Sequence, residues 1–376
     1  MRSPDGNCVP ASTYRRPESA CVCYGYEMAF DIDRWTNGDD ERQPLVPVSR
    51  PVDGPHRWRH SRGMRIGIVG AGAIGGWVAA RLTGAGEAVS ILARSATADS
   101  LRAGLELVED GVTTTVRPSV STDASDIGPQ NLLVVAVKAP ALAEAARLAA
   151  PMIGPKTVIL PMLNGVPWWF AERRLHSVDA DGSIAAALPF EKVVGCVIHA
   201  ACRRDGLSRV VVAKADKLIV GEPEGSSGER IDQICALFDR AGIKCQASTN
   251  IRRDIWYKLW GNATLNPLSA LTLATADRLH AELRPLQLAG MAELAAVGAA
   301  IGCPIAESGE DRMAVTARLG PFKTSMLQDV EAGRPIELEA MLGAPIELAH
   351  RAGVPVPTLE TLYAMTRLMA ETRGLL

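Results

Sequence analysis

The sequence predicts an α/β Rossmann-type N-terminal domain followed by an all-α C-terminal domain. From Met64 onward, short apolar runs alternate with segments of helical period, and a glycine-rich turn joins the first strand to the first helix. Beyond about residue 250 the strand-like runs cease and helical periodicity continues alone. Strands alternating with helices indicate βαβ units and a parallel sheet covered on both faces. We therefore expect a Rossmann domain over residues 64–248 and a helical domain over residues 249–376.

Length and composition agree with two globular domains. The chain has 376 residues, and single cores stop growing at roughly 250–300 residues. Hydrophobic residues make up 47% of the chain and charged residues 22%, as in ordinary globular proteins. A net charge of −2 provides no general attraction for nucleic acid or for an anionic membrane. Composition therefore argues against both of these partners.

Neither a membrane anchor nor a metal site is indicated. The longest apolar run, residues 131–153, contains Lys138, Pro140, Glu144 and Arg147, whereas a spanning helix needs about 20 nearly uncharged residues. The eight cysteines are scattered, and the close Cys-Val-Cys pair at 21–23 has no metal-binding or redox spacing. We expect no bound metal, reduced thiols and a cytoplasmic location.

Residues 1–63 are predicted to be an irregular N-terminal extension. They show no period of 2 or 3.6 and contain many prolines and glycines. The strand pattern begins abruptly after Met64. We expect either that Met64 is the natural start of the protein or that the extension is dispensable.

The predicted elements follow one another in a regular order. The strands "RIGIVG", "AVSILA", "LLVVAV" and "TVILPML" alternate with the helices "AIGGWVAARLTGAG" and "APALAEAARLAAPMI". The later runs "KVVGCVIHAACR", "SRVVVAKA" and "KLIVGE" are predicted strands joined by turns that close or extend the sheet. Long helical segments then end at Gly302, Gly353 and Gly374, because glycine is the preferred residue just past a helix.

The first turn carries a dinucleotide-binding pattern. "IVGAGAIGG" supplies Gly70, Gly72 and Gly75 in the G-x-G-x-x-G spacing, between a strand and a helix, which is the context that the motif requires. Glycines here allow a tight turn, close approach of a pyrophosphate and close packing of helix on strand. The predicted cofactor loop comprises Gly70, Ala71, Gly72, Ala73, Ile74 and Gly75.

The end of the second strand favours NADP over NAD. An NAD enzyme usually has an acidic residue roughly 20 residues after the glycine loop, which binds the ribose hydroxyls. This chain has Ala93, Arg94 and Ser95 there. A guanidinium binds a 2′-phosphate through two hydrogen bonds, whereas a carboxylate repels it. Arg94 is the predicted 2′-phosphate ligand, with Ser95 as a helper.

A row of polar side chains marks the start of the helical part. "NIRRDIWYKLWGNATLNPLSA" places Lys258, Asn262 and Asn266 four residues apart, a spacing that puts them on one face of a helix. Trp256 and Trp260 flank the lysine and indicate that the helix is largely buried. Asn266 precedes a proline, so we expect the helix to end or kink there. A structural alternative, in which the row caps helices or satisfies backbone groups, stays open at this point.

The chemistry of such a row suits carbonyl reduction. A lysine beside apolar bulk has a lowered pKa, because desolvation disfavours the ammonium, and this suits a proton donor near neutral pH. When a hydride reaches a ketone carbon, negative charge develops on the oxygen, and Lys258 is the predicted proton donor to it. Amides such as Asn262 can hold a neighbouring carbonyl or carboxylate without adding a titratable group.

The chain resembles the ketopantoate reductase (2-dehydropantoate 2-reductase) family over residues 64 to about 370. The matching pieces are "GIVGAGAIG", "LLVVAVKA", "LNGV", "HAACRRDG", "NIRRDIWYKLWGNATLNPLSAL", "SMLQDVEAGRPIELEAMLG" and "AGVPVPTLETLY". The K-x-x-x-N-x-x-x-N-P block with S-M-x-Q-D is more specific than the glycine loop. The resemblance implies a Rossmann domain, a helical domain and NADPH-dependent reduction of ketopantoate to D-pantoate in pantothenate biosynthesis.

The resemblance also implies roles for single residues. Lys258 matches the family's general acid, and Glu337 in "RPIELEA" matches an essential carboxylate near substrate and lysine. The residues that match substrate ligands are Asn262, Asn266 and Ser325. Lys138 and Asn164 match residues at the nicotinamide end of the cleft, and both follow apolar strands, at the edge where open α/β sheets bind ligands.

Alternatives remain at the level of substrate and class. Phe322 stands where some relatives carry a polar residue that helps bind the hydroxyl end of ketopantoate, so another branched or aromatic 2-keto acid is an alternative substrate. A non-catalytic NADP-binding sensor is a second alternative, although it would not need Lys258 and Glu337 together. His199 is interpreted as a structural histidine. The apolar helical part makes a homodimer an expectation.

Overall fold

A computed structural model describes residues 64–226 and 228–376, so the predicted extension over residues 1–63 lies outside the described residues. The strands of this part are β1 (Arg65–Val69), β2 (Ala88–Leu92), β3 (Leu105–Glu109), β4 (Val112–Val116), β5 (Ser119–Ser121), β6 (Leu132–Val135), β7 (Val158–Pro161), β8 (Gly195–Asp205), β9 (Arg209–Gly221) and β10 (Cys245–Ala247). The helices are α1 (Ala73–Gly84), α2 (Ser95–Ala103), α3 (Ala124–Ile127), α4 (Leu142–Ala149), α5 (Ser183–Ala187), α6 (Glu229–Arg240), α7 (Ile251–Thr272), α8 (Ala276–Glu282), α9 (Arg284–Ala300), α10 (Gly309–Ala317), α11 (Ser325–Glu331), α12 (Ala344–Ala352) and α13 (Pro357–Arg373). The predicted fold class, an α/β Rossmann-type region followed by an all-helical one, is confirmed.

The first sheet is parallel and has the order β5-β2-β1-β6-β7. The strands β6 and β7 are apolar runs that are buried at every position, as expected for a parallel sheet covered on both faces. The carboxyl ends of β1, β6 and β7 lie at one edge of the sheet. The glycine turn and the segments that carry Lys138 and Asn164 begin at that edge.

The second sheet differs from the sequence-based expectation. The strands β8, β9 and β10 do not close or extend the first sheet but form another one with β3 and β4. The runs "SRVVVAKA" and "KLIVGE" are one strand, β9, because it pairs with β8 along most of its length. The hairpin β3–β4 is absent from the predicted elements. Its turn, Asp110-Gly111, has positive φ at both residues, the conformation that an Asp-Gly pair favours in two-residue hairpins.

The helical region is organised around α7, which continues to Thr272 with Pro267 inside it. Of the two predicted alternatives at Asn266, a helix end is therefore wrong, and a kink stays a prediction. Residues 263–270 of α7 are all buried, so tertiary packing outweighs the local preference of a residue that precedes proline. The predicted glycines past helix ends are confirmed, because Gly302, Gly353 and Gly374 have φ of +78°, +66° and +66°.

Two indole groups fix α7 against its neighbour α9. Trp256 Nε1 donates to the Leu294 carbonyl at 3.1 Å, and Trp260 Nε1 donates to the Met291 carbonyl at 2.8 Å. Both tryptophans are at most 1% exposed. The hydrophobic core that contains them extends into the sheet-bearing region, where it includes Trp169. The boundary at residues 248/249 stays a prediction.

Candidate active site

The glycine turn between β1 and α1 has the shape of a phosphate-binding loop. Gly70 has φ +97°, a conformation that side chains rarely adopt. A Cβ on Gly75 would lie 1.9 Å from the Gly70 carbonyl oxygen, whereas a Cβ on Gly72 would meet nothing closer than 3.9 Å. Gly72 therefore borders open space. No side chain caps α1, so its first N–H groups are available to an anion, and these residues fit a dinucleotide pyrophosphate.

Arg94 lies beside this turn. The Gly70 N–H donates to the Leu92 carbonyl at 3.5 Å, which brings the end of β2 against the glycine loop. Arg94 follows two residues later and precedes α2, which begins at Ser95. Its side chain is exposed and forms no ion pair within residues 64–226 and 228–376. A free guanidinium at this place fits a 2′-phosphate.

Lys258 reaches from α7 to the edge of both sheets. Its Nζ donates to Asn164 Oδ1 at 2.9 Å and to the Ile198 carbonyl at 2.7 Å. Burial lowers the pKa of Lys258 from 10.5 to about 8, with Cys196 and Glu337 acting in the opposite direction. The expected lowering of this pKa is therefore present, and an ammonium with a pKa of about 8 can donate a proton near neutral pH.

Asn164 and Glu337 complete the surroundings of the lysine. Asn164 lies in the loop after β7, and its side chain also hydrogen-bonds the Glu337 carboxylate. Glu337 Oε1 accepts from the Ala139 N–H at 3.2 Å. Burial raises the pKa of Glu337, and the Ala139 hydrogen bond and Lys138 oppose the shift. Asn164 thus hydrogen-bonds both Lys258 and Glu337 and connects the two side chains.

Lys138 pairs with a carboxylate from the helical region. Its Nζ forms an ion pair with Asp329 of α11, and Arg334 Nη2 lies 3.0 Å from the same carboxylate. The Asp329 side chain is 8% exposed, and that of Lys138 is 40% exposed. Lys138 is thereby held beside Ala139 and Glu337, at the carboxyl end of the first sheet.

The predicted substrate ligands are placed differently from one another. Asn262 lines a small cleft together with Lys258 and Asn164. Asn266 is 5% exposed and stands two helical turns, about 12 Å along the axis, from Lys258. Ser325 is exposed at the start of α11, a helix that packs against α7. Within the described part of the chain, none of these three side chains hydrogen-bonds another residue, so their donors are available to a ligand.

Sequence reasoning overlooked two charged residues of this region. Asp329 is the last residue of the S-M-x-Q-D pattern, but only the structure shows that it pairs with Lys138. Arg204, in "HAACRRDG", reaches the glycine loop, where its Nη1 lies 3.4 Å from the Ala71 carbonyl oxygen. No spacing rule links residue 204 to residue 71. His199 is half-buried, and burial and Lys258 lower its pKa to about 4, in agreement with a neutral histidine.

Two family models match the chain. The model described as "Ketopantoate reductase PanE/ApbA" matches residues 66–225. The model described as "Ketopantoate reductase PanE/ApbA C terminal" matches residues 250–370. Together they cover most of the part of the chain that the structure describes.

Individual relatives agree with these models. A 2-dehydropantoate 2-reductase of Mesorhizobium japonicum is 36% identical over 323 residues, which are 83% of this chain and 99% of the relative. A crystal structure from Ralstonia solanacearum MolK2 assigned to the ketopantoate reductases is 47% identical, with a TM-score of 0.81, and the match covers 83% of this chain and 99% of that one. The 2-dehydropantoate 2-reductase of Methylococcus capsulatus is 29% identical, with a TM-score of 0.73, over 83% and 98% of the two chains.

Proposed function

Because this chain belongs to the ketopantoate reductase family, a family of oxidoreductases, we propose that it catalyses the NADPH-dependent reduction of 2-dehydropantoate (ketopantoate) to D-pantoate. This reaction is a step of pantothenate biosynthesis. The observation that carries the proposal is the Lys258 ammonium, which has a pKa of about 8 and is held by Asn164 at 2.9 Å. A lysine in such a position is suited to protonate a ketone oxygen.

The cofactor is proposed to bind along the glycine loop. Gly70, Gly72 and Gly75 shape the loop, the free N–H groups of α1 would hold the pyrophosphate, and Arg94 would hold the 2′-phosphate. Lys138 and Asn164 are proposed to lie toward the nicotinamide, as the family pattern implies. The dihydronicotinamide, when bound, supplies the hydride that reaches C2 of the keto acid. The fit rests on the open space at Gly72 and on the free guanidinium of Arg94.

Lys258 is the proposed general acid. As negative charge develops on the ketone oxygen, the ammonium stabilises it and transfers a proton, a contribution of about 10²- to 10⁴-fold. The Ile198 carbonyl and the Asn164 side chain limit the directions in which Nζ can point. The remaining N–H of the ammonium is then available to the substrate.

Glu337 is the proposed carboxylate partner. Its charge raises the pKa of Lys258, which keeps a larger fraction of the lysine protonated at neutral pH. Its side chain is positioned by the Ala139 N–H and by Asn164. Asn262, Asn266 and Ser325 are proposed to hold the carboxylate and hydroxyl groups of the substrate, as in the family pattern.

Substrate choice is open to a direct comparison. Phe322 is half-buried and packs against the core, and its carbonyl accepts from the Ala276 N–H at 3.0 Å. An apolar side chain here offers no hydrogen bond to the hydroxyl end of ketopantoate. For this reason the test includes an aromatic 2-keto acid beside ketopantoate.

The test follows NADPH absorbance with purified protein and each keto acid. Faster oxidation with ketopantoate supports the proposal, and faster oxidation with the aromatic compound would assign another 2-keto acid. NADPH binding without oxidation by any keto acid would identify a sensor. Lys258→Met in parallel shows whether turnover depends on the proposed acid.

A cytoplasmic homodimer is proposed as the working form. Among the described residues, no helix has the length and apolar character needed to cross a membrane. On α13, Met365 and Leu368 are 52% and 66% exposed, and such apolar exposure suits contact with a second copy. Light scattering coupled to gel filtration measures the mass, and a mass of one chain would contradict the dimer.

A further inference from the structure

We propose that Arg204 and Arg94 together bind the 2′-phosphate of NADPH, so that specificity for the phosphorylated dinucleotide depends on a residue of the second sheet. The proposal rests on the proposed use of NADPH. It assigns a role to a side chain that lies more than a hundred residues from the glycine loop in sequence.

The strand register directs Arg204 toward the glycine loop. In the ladder of β8 with β9, Arg204 pairs with Val210, and Arg203 pairs with Val211. Val210 packs under α1, because a Cβ added to Gly76 would lie 2.7 Å from Val210 Cγ2. Directly paired residues share a face of the sheet, and neighbours along a strand point to opposite faces. Arg204 therefore shares the α1 face, and Arg203 points away from it.

The contacts of Arg204 confirm this direction. Its Nε donates to the Gly206 carbonyl at 2.9 Å, and its Nη1 lies 3.4 Å from the Ala71 carbonyl oxygen. The neighbouring Gly70 N–H approaches Leu92, two residues before Arg94. The backbone of Arg94 and the guanidinium of Arg204 thus both lie beside the glycine loop, and the charge of Arg94 acts on Arg204. In this fold the adenosine ribose is held at the end of β2.

Among the described residues, the guanidinium groups of Arg204 and Arg94 have no acidic partner. Within residues 64–226 and 228–376, neither Arg204 nor Arg94 forms an ion pair. The nearby acids Asp205 and Glu106 are both paired with Arg209. Burial lowers the pKa of Arg204 first, and the cations Arg94 and Arg334 lower it further. Of these two cations, Arg334 is paired with Asp329, so Arg94 and Arg204 form the unpaired set. Like charges gathered without a counterion are stabilised by a bound anion.

The 2′-phosphate suits this pair better than the pyrophosphate does. The N–H groups of the glycine loop and of the first turn of α1 already serve the pyrophosphate. A phosphate monoester carries close to two negative charges near neutral pH and presents three acceptor oxygens. Two guanidinium groups can therefore bind it at once, each through charge-assisted hydrogen bonds.

The experiment measures dinucleotide affinity without turnover. Isothermal titration gives the dissociation constants of NADPH and NADH for the full chain and for Arg204→Gln, Arg94→Gln and Arg203→Gln. Arg203 is the matched control, since it is the next residue on the same strand and faces the other way. Circular dichroism and thermal melting show whether each variant folds. If Arg204→Gln does not fold, Arg204→Lys replaces it, because lysine keeps the charge but lacks the guanidinium group.

We expect Arg204→Gln to weaken NADPH binding about 10- to 100-fold, the range for loss of a charged hydrogen-bond donor, and to change NADH binding less than about threefold. Arg203→Gln should leave both affinities unchanged. An equal loss for both dinucleotides would assign Arg204 to the pyrophosphate and overturn the proposal, as would an unchanged NADPH affinity. If the unaltered protein binds NADPH but reduces no 2-keto acid, the proposed function is wrong. The measured affinities then still show whether Arg204 and Arg94 bind the 2′-phosphate.

Discussion

Lys258 Nζ donates a hydrogen bond of 2.9 Å to Asn164 Oδ1, and this bond joins α7 to the loop that follows β7. The same asparagine hydrogen-bonds Glu337. One amide therefore connects the proposed acid to the proposed carboxylate, and it links the end of the parallel sheet to the helical region.

Replacement of the lysine should separate chemistry from cofactor binding. Lys258→Ala removes the proposed proton donor, so turnover should fall by about 10²- to 10⁴-fold, while NADPH affinity stays within about twofold because the glycine loop is untouched. Steady-state kinetics and titration measure the two quantities. Lys156→Ala, at an exposed position, is the control. Equal losses of turnover and NADPH affinity would count against an acid role.

The rate of reduction should depend on pH through Lys258. The acid must be protonated to work, and its pKa is about 8. The turnover number should therefore be constant below this value and fall tenfold per pH unit well above it. A pH profile of turnover at saturating substrate checks this expectation. A rate that rises through pH 8 would show that the group acts as a base instead.

Glu337 should set the pH at which the turnover number begins to fall. Its negative charge raises the pKa of Lys258, so Glu337→Gln should shift the falling limb of the profile to lower pH. Glu331→Gln is the matched control, because Glu331 is exposed and pairs only with Lys323 among the described residues. If Glu337→Gln lowers turnover but leaves the falling limb of the pH profile at the same pH, Glu337 acts in substrate binding alone.

The buried lysine should also affect stability in a pH-dependent way. Its folded pKa of about 8 lies below the unfolded value of about 10.4, so the unfolded state binds more protons between these two values. The contribution of Lys258 to the free energy of unfolding is therefore lowest below pH 8, and it rises as the pH increases from the folded pKa to the unfolded pKa. Relative to Lys258→Met, the free energy of unfolding of the unaltered protein should rise by about 3 kcal/mol across that range. Urea unfolding of both proteins at several pH values measures it, and a constant difference would contradict the lowered pKa.

Two glycines of the loop should respond differently to the same added methyl group. In Gly75→Ala the new Cβ would lie 1.9 Å from a backbone oxygen, so the turn must distort and the melting temperature should fall. In Gly72→Ala the nearest atom is 3.9 Å away, so the fold should be kept, while NADPH affinity falls because the methyl group occupies the path of the pyrophosphate. Thermal melting and titration of both variants separate the effects. Unchanged NADPH binding by a folded Gly72→Ala would place the dinucleotide elsewhere.

Local patterns predict four strands of the first sheet, the glycine turn and the helical end of the chain, whereas the edge strand β5 is not among the predicted elements. The period of apolar residues and the positions of glycine depend on near neighbours, and both are visible in the sequence. The second sheet was not predicted as a separate layer, because the pairing of β3 with β9 joins residues about a hundred positions apart. The continuation of α7 through Pro267 was likewise set by burial of residues 263–270, which no local preference reveals.

The candidate site shows the same division. Lys258, Asn262 and Asn266 share a helix, so their spacing of four residues is visible in the sequence. Arg94 follows a strand that the apolar pattern predicts. Asp329 and Arg204 contact Lys138 and the glycine loop only through tertiary structure. Their charges are visible in the sequence, but the partners of those charges are not.

The two indole groups that fix α7 make some neighbouring positions tolerant of substitution and others intolerant. Their acceptors are the main-chain carbonyls of Leu294 and Met291, so residues at these positions can vary in identity while the hydrogen bonds persist. Trp256 has no such freedom, because phenylalanine keeps the bulk and lacks the N–H donor. Gly298 is bound by the same constraint, since an added Cβ would lie 2.4 Å from Trp256 Nε1. The position of Lys258, the proposed acid, therefore depends on a few buried positions on the opposite side of the helix, which do not contact the proposed site.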